Sequence, residues 1–318
     1  MTTDTKPRLT FITNIPSPYN LDLFESLSFY FNLNVFYYEK IESDRQWNIN
    51  IDSQKYYSKV FETDYISGAI KRVNNQIYFN FECIKLAFKT KDTFFILSGN
   101  YFVPNSILLL LILRCRGKKI FWYGESLLPT ISKFKRVLKK ILITPVNLLT
   151  NGIFAIGETA KSSYKNYGYK KSIINTPYSI NNHRFTDVNE RQKTNNLSTI
   201  NKKIIILSSG SLIYRKGFDV AIEAINLLDE ELRQKIEYCI LGDGDLKNEL
   251  QKLAKPDLKI NFIGFVEPNN LPYYYKNSDI FLFTSRYDGW GVVINEAMAA
   301  GLPIIVTKNC GASEYIDN

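Results

Sequence analysis

The chain has 318 residues, 45% of them hydrophobic and 14% aromatic, enough to bury a sizeable core and too much for a disordered polymer. One histidine, His183, excludes a multi-histidine metal site, and the spacing of Cys83, Cys115, Cys239 and Cys310 excludes a zinc ribbon and speaks against a disulfide framework; they read as buried thiols in a reducing compartment. Net charge is +9 and uneven: residues 1–190 hold 25 of the 40 basic residues but only 15 of the 31 acidic ones.

The first half opens with a strand at 9–14, broken by Pro16 and Pro18, and a helix at 20–31. Strands follow at 34–39, 93–99, 119–124, 152–157 and 172–178, with helices at 106–114, 132–149 and 158–168. Residues 41–65 read as a long loop with short pieces. Residues 181–201 are polar and form the linker, where the charge balance changes. The second half alternates strands at 203–210, 237–244, 259–265, 279–285 and 303–307 with helices at 219–228, 245–254, near 270–277 and at 292–300. Apolar runs between amphipathic helices predict parallel sheets covered on both faces. The expectation is therefore α/β: two doubly wound Rossmann-like domains, 1–190 and 191–318, facing across a cleft, with ligands at the carboxyl ends of strands.

The N-terminus lacks the apolar stretch of a signal peptide, and the aliphatic run 107–113 is too short to span a membrane. The protein is expected on the cytoplasmic side. Within 132–149, Phe134, Val137, Leu138, Ile141 and Leu142 make one apolar stripe opposite Lys133, Lys135, Arg136, Lys139 and Lys140. Such a helix suits an anionic membrane surface; it also suits an ordinary packed helix with a solvated basic face. Nucleic acid is not an expected partner, because no helix-turn-helix, zinc-finger or RNP pattern accompanies the charge.

Three segments carry candidate chemistry. Gly210 follows a strand and precedes Arg215 and Lys216, which offer a planar fork and a point charge to a phosphate; the Walker order of residues is absent. Gly242-x-Gly244 also follows a strand, but Lys247 stands where a dinucleotide fingerprint needs its third glycine, so a tight turn is the plainer reading. In the third, Asp288 precedes Gly289, Trp290, Gly291 and Val292 at a helix start, and Glu296 lies one or two turns into that helix. The two carboxylates can grip hydroxyls on separate parts of an extended polar ligand; they can equally be a helix-start residue and a solvated helix carboxylate.

The run from Asp288 to Ile305 closely resembles the E-x7-E region of family 4 retaining glycosyltransferases, which have the GT-B fold. In the same order, the segment from Gly210 resembles that family's donor-phosphate segment, and 240–246, 262–266 and 274–285 resemble its middle strands. The resemblance implies a nucleotide-diphosphate sugar as donor substrate, no cofactor and no metal. It implies Lys216 on the diphosphate with Arg215 and Gly210 beside it, Asp288 on sugar hydroxyls, Glu296 on the ribose, and backbone at Gly289, Trp290, Gly291 and Val292 along sugar and phosphate. The residues around Gly264, Ile263 to Phe265, would flank the base. Asp288 and Glu125 are the catalytic candidates, Glu125 on the acceptor side where the family often has a histidine. His183 reads as structural. The expected acceptor is a glycan or lipid-linked glycan at the inner membrane face, in cell-surface polysaccharide or glycolipid synthesis.

The sequence departs from the family at Ser211, where arginine is common, at Asp288, where glutamate is common, and at 17–20, where a Gly-Gly loop is common. Asn318 follows the fifth strand of the second domain, so that domain is expected to be incomplete at its C-terminal end. A non-catalytic nucleotide-sugar-binding or assembly partner is the alternative to a transferase.

Overall fold

The computed structural model describes residues 6–41, 49, 51, 55–62, 79–127, 132–186 and 203–316. The chain divides into two compact units, Met1–Pro177 and Tyr178–Asn318. The expected linker lies outside the described residues from 187 onward, as does the expected domain boundary at 190.

In the first unit, β1 (Arg8–Thr13), β2 (Asn32–Tyr37), β3 (Tyr57–Val60), β4 (Phe94–Ser98), β5 (Lys119–Gly124), β6 (Gly152–Ala155) and β7 (Ser172–Asn175) form one parallel sheet. Its order is β3-β2-β1-β4-β5-β6-β7. Helices α1 (Pro18–Ser28), α2 (Phe81–Lys89), α3 (Pro104–Cys115), α4 (Lys133–Leu149) and α5 (Glu158–Asn166) run between strands. β1, central between β2 and β4, is buried on both faces after its first residue, as in a parallel sheet whose crossover helices cover it, whereas edge strand β7 alternates. Pro18 and Pro104 start α1 and α3, where their missing N–H costs nothing. The core gathers Phe95, Leu109, Leu113, Ile120, Trp122 and Tyr164, and the Trp122 indole donates to the Tyr164 hydroxyl at 3.1 Å.

The second unit begins with α6 (His183–Thr186). Strands β8 (Ile204–Ser209), β9 (Ile236–Leu241), β10 (Lys259–Gly264), β11 (Ile280–Phe283) and β12 (Ile304–Val306) form a parallel sheet ordered β10-β9-β8-β11-β12. Helices α7 (Phe218–Asn226), α8 (Glu230–Gln234), α9 (Lys247–Leu253), α10 (Leu271–Lys276) and α11 (Val292–Ala299) connect them. Phe218, Ile222, Ile240 and Leu250 pack as its core. There the Tyr238 hydroxyl donates to Ser208 at 2.8 Å, and Ser208 donates to the Leu282 carbonyl at 2.5 Å. Both units are the doubly wound Rossmann-like sheets expected from the alternation.

Four elements were not read from the sequence. The expected loop at 41–65 contains β3, which pairs with β2. α2 is held by Asn80, whose side chain accepts from the Cys83 N–H at 3.1 Å, and by Cys83 and Ala87 in the core. α6 and α8 are too short to show a period.

Several basic residues of the first unit have a structural use. The Arg116 guanidinium donates to the carbonyls of Ala87 and Thr90 (2.7 and 3.1 Å), closing the C-terminus of α2. The Lys171 ammonium donates to those of Leu148 and Thr150 (2.7 and 2.5 Å), closing α4. Lys118 reaches the Asp92 carbonyl at 2.7 Å. α4 itself packs through Ile143 and Val146. Its apolar stripe faces solvent: Phe134 is 76% exposed and Ile141 62%, with Val137, Leu138 and Leu148 also exposed. Among the described residues no helix is long and apolar enough to cross a membrane.

Candidate functional site

In an open parallel sheet, ligands bind beyond the carboxyl ends of strands where the winding reverses. In the second unit that point lies between β8 and β11, which pair with each other. The loop after β8 carries Gly210 to Gly217 and the loop after β11 carries Thr284 to Gly291.

Side chains bind these two loops together. The Thr284 hydroxyl donates to the Gly217 carbonyl at 2.7 Å, and the Ser285 hydroxyl and Arg286 N–H donate to the Arg215 carbonyl at 3.0 and 2.9 Å. The Arg286 guanidinium grips Asp219 bidentately at 2.7 and 2.6 Å and lies 4.0 Å over the Tyr214 ring. The hydrogen bonds from Arg286 hold the Asp219 carboxyl below the usual aspartate range. Gly217 sits at φ +68°, and a Cβ there would meet the Thr284 carbonyl oxygen at 2.2 Å, so no other residue fits this approach.

The stitched loops bring three expected residues together. Lys216 Nζ lies 2.5 Å from Asp288 Oδ2, and Arg215 Nη1 lies 3.2 Å from the same oxygen. The Lys216 and Asp288 side chains are 15% and 12% exposed, while Arg215 is more open at 44%. Lys216 Nζ also sits 5.3 Å above the Phe283 ring, and its stem runs alongside Gly210. Burial pushes the Asp288 carboxyl up, but the Lys216 ammonium and Arg215 outweigh it and hold the group ionised below the usual aspartate range. The Asp288 backbone is fixed too, donating to the Asn309 carbonyl at 3.1 Å and accepting from the Gly311 N–H at 3.2 Å.

Gly291 caps α11, whose N-terminus follows this cluster directly. Trp290 is buried: its indole donates to Asn295 at 2.8 Å, and Asn295 donates to the Tyr178 carbonyl at 3.0 Å. The Trp290 side chain is thus part of the packing, and the Trp290 N–H donates to Asp288 Oδ1 at 3.4 Å. The Cys310 thiol, pushed up to about 12 by burial, donates to the Trp290 carbonyl at 2.7 Å. Glu296 is half-buried and accepts from the Tyr275 hydroxyl at 2.7 Å. Burial pushes its carboxyl up to about 7, against the opposing influence of that hydroxyl and of Arg184. Gly264 ends β10, and its carbonyl accepts from the Gly242 N–H at 2.7 Å; Ile263 and Phe265 beside it are partly exposed. Glu125 belongs to the first unit, exposed at the carboxyl end of β5. Among the described residues no group of acidic, histidine and cysteine side chains is arranged to hold a metal.

The arrangement offers an anion two cations and a helix N-terminus, and offers hydroxyl donors two carboxylates of different ionisation. Residues 189–318 match the Glycosyl transferases group 1 family. The second unit thus resembles a group 1 glycosyl transferase domain. An uncharacterized glycosyltransferase of Methanocaldococcus jannaschii is 36% identical over 115 residues, 35% of this chain and 29% of that protein. The lipopolysaccharide glucosyltransferase WaaG of Escherichia coli (strain K12) is 33% identical over 113 residues, 35% of this chain and 30% of WaaG. Each match spans less than a third of the relative. The crystal structure of Anabaena HepE in complex with UDP and glucose matches 98% of this chain and 83% of its own, with a TM-score of 0.69 at 13% identity. That likeness concerns the fold, which is of the GT-B class with two Rossmann-like α/β domains.

Sequence reasoning missed Arg286 with Asp219, Tyr275 beneath Glu296, and Asn295. Each acts through a partner distant in the chain, except that Asp219 stands in the same segment as Lys216, where a conspicuous acid beside two cations was a usable signal.

Proposed function

We propose that the chain is a retaining glycosyltransferase that moves a sugar from a nucleotide-diphosphate sugar to a glycan or lipid-linked acceptor in cell-surface polysaccharide or glycolipid synthesis. The observation that carries this reading is the Arg215, Lys216 and Asp288 cluster at the winding reversal of a unit that matches the Glycosyl transferases group 1 family. Lys216 and Arg215 hold the diphosphate, and the α11 N-terminus with the backbone of Gly289, Trp290, Gly291 and Val292 faces phosphate and sugar. Gly210 lets the phosphate approach the backbone. Asp288 accepts hydrogen bonds from sugar hydroxyls, Glu296 from the ribose, and the residues about Gly264 flank the base.

In the transfer, the bond from the sugar's anomeric carbon to the diphosphate oxygen breaks while the acceptor hydroxyl attacks the same face. The acceptor's proton passes to the departing phosphate oxygen. Lys216 and Arg215 stabilise the charge that develops there, and that electrostatic effect supplies much of the rate. Glu125 serves the acceptor side. The exposed apolar stripe of α4, edged by lysines, supports peripheral contact with an anionic membrane at the cytoplasmic face, where a lipid-linked acceptor is reached.

Thermal unfolding with UDP, GDP, ADP and their sugar conjugates tests the reading. Ligand at ~100-fold its dissociation constant stabilises by about 2.7 kcal/mol. One base should stabilise the wild type and not Lys216→Ala, and labelled sugar should then move to a lipid or glycan acceptor. Stabilisation without transfer to any acceptor would leave a nucleotide-sugar-binding partner. No stabilisation by any of them would overturn the proposal.

A further inference from the structure

We infer that Asp288 biases this site against the released nucleoside diphosphate, so that the same carboxylate that meets the sugar also favours departure of the product. The inference rests on reading the site as one for a nucleotide-diphosphate sugar.

The argument begins with the pairing found without ligand. Both cations that face a diphosphate already share one carboxylate oxygen, Lys216 at 2.5 Å and Arg215 at 3.2 Å. Lys216 and Asp288 are largely buried, so their attraction is weakly screened. Asp288 cannot easily withdraw. Its side chain is short, and its backbone is tied to Asn309 and Gly311 on the next loop. Arg286 and Ser285 pin the strand-end loop to Arg215 from the other side. A diphosphate therefore meets two cations and one fixed anion, which together leave a single net positive charge.

The two ligands that visit the site load it differently. Esterified to a sugar, the terminal phosphate carries about −1 near neutral pH, and the sugar brings hydroxyl donors that satisfy Asp288. After transfer the sugar is gone. The terminal phosphate, with its second ionisation near about 6, moves toward about −2, and the carboxylate loses the sugar's hydroxyl donors, keeping Lys216, Arg215 and the Trp290 N–H. Phosphate and Asp288 then compete for Lys216 at short range, like charge against like charge. Asp288 thus weakens the bare diphosphate more than it weakens the sugar nucleotide.

Calorimetric titration of the full chain with UDP, GDP and ADP, and with UDP-glucose, GDP-mannose and ADP-glucose, tests this. In Asp288→Asn the affinity for the matching nucleoside diphosphate should rise roughly tenfold or more, while that for the sugar nucleotide stays level or falls. Asp288→Ser repeats the comparison should the asparagine variant fail to fold, which unfolding without ligand reports. Equal strengthening of both ligands, or an unchanged affinity for the diphosphate, overturns the inference and leaves the donor-site reading standing. A wild type that binds none of the six overturns both.

Discussion

The two sheets share the strand order of their first five strands, yet their equivalent loops are built from different chemistry. Between β8 and β11 the loops carry charge: Lys216 and Arg215 on Asp288, Arg286 on Asp219. Between β1 and β4 they carry neutral polar groups, with Asn14 against Gly99 and Ser17 and Asn20 buried at the start of α1. Among the described cations of the first unit, Arg116 and Lys171 close helix ends, Lys55 and Lys59 pair with Glu25 and Glu82, and others edge α4. One topology thus supports two kinds of site, and the loops decide which. The comparison also predicts that the charged loops tolerate less change than the neutral ones.

The largest effect should come from Gly217. Its added Cβ would strike a backbone oxygen, Thr284 O, at 2.2 Å, at a φ of +68°. Strain and overpacking together should cost about 4 kcal/mol. Gly99→Ala is the matched probe in the first unit. Its φ of +114° is also strained, but the Cβ would meet the Asn14 side-chain oxygen at 2.1 Å, and a side chain can turn aside. About 2 kcal/mol is expected there. Denaturant unfolding of both variants checks the order; the reverse order would end the claim that the second unit's loops are the more rigid.

Glu296 comes next. Its folded pKa of about 7 stands above the ordinary carboxylate value of 4.5, so the folded state binds the proton more tightly than the unfolded one. That stabilisation is complete below pH 4.5 and is lost as pH rises through about 7. The swing is at most about 3 kcal/mol. Glu296→Gln keeps an oxygen for the Tyr275 hydroxyl and removes the titration. It should match the wild type near pH 4.5 and exceed it at pH 8 in thermal unfolding. Parallel curves for the two proteins would show that Glu296 is solvated as an ordinary carboxylate.

These residues also mark what the sequence could tell. The strands were legible as apolar runs because parallel strands are buried on both faces, and the segments from Gly210 and Asp288 were legible because each is contiguous. That Lys216 and Asp288 pair was implied only loosely, since 72 positions separate them and β8 must neighbour β11 first. Trp290 sits in a ligand-lining segment by pattern, but its side chain belongs to the core, which a linear motif cannot distinguish. Nor can a period say which stripe of a helix faces inward. Phe134, Val137, Leu138 and Ile141 form the clearest apolar stripe of α4, and the helix buries Ile143 and Val146 instead. Residues 133–138 are exposed all round, so among the described residues the N-terminal part of the helix faces no core.

Basic residues of the first unit separate by the same logic. Arg116→Ala removes two hydrogen bonds to the end of α2 and should cost about 1 kcal/mol. Removing an exposed lysine of α4, such as Lys135, should cost less than about 0.5 kcal/mol. Chemical denaturation of the two variants side by side distinguishes a capping cation from a surface one, and equal costs would dissolve the distinction.

The smallest effect on stability should accompany the largest effect on location. Phe134 and Ile141 touch little of the first unit, so Phe134→Ser with Ile141→Ser should leave unfolding unchanged to within about 0.5 kcal/mol. On a membrane each apolar side chain that inserts contributes about 1.5–3 kcal/mol, and each lysine near an anionic surface about 1 kcal/mol. Flotation with phosphatidylglycerol vesicles should therefore retain the wild type and lose the double variant, and phosphatidylcholine vesicles should retain neither. Lys133→Glu with Lys140→Glu keeps the apolar stripe and should lose the preference for anionic lipid. A wild type that ignores phosphatidylglycerol would return the stripe to the status of an exposed helix face. If instead the serine variant unfolds early, the stripe packs against protein, and the contrast between a stitched loop pair and an exposed helix surface would have to be redrawn.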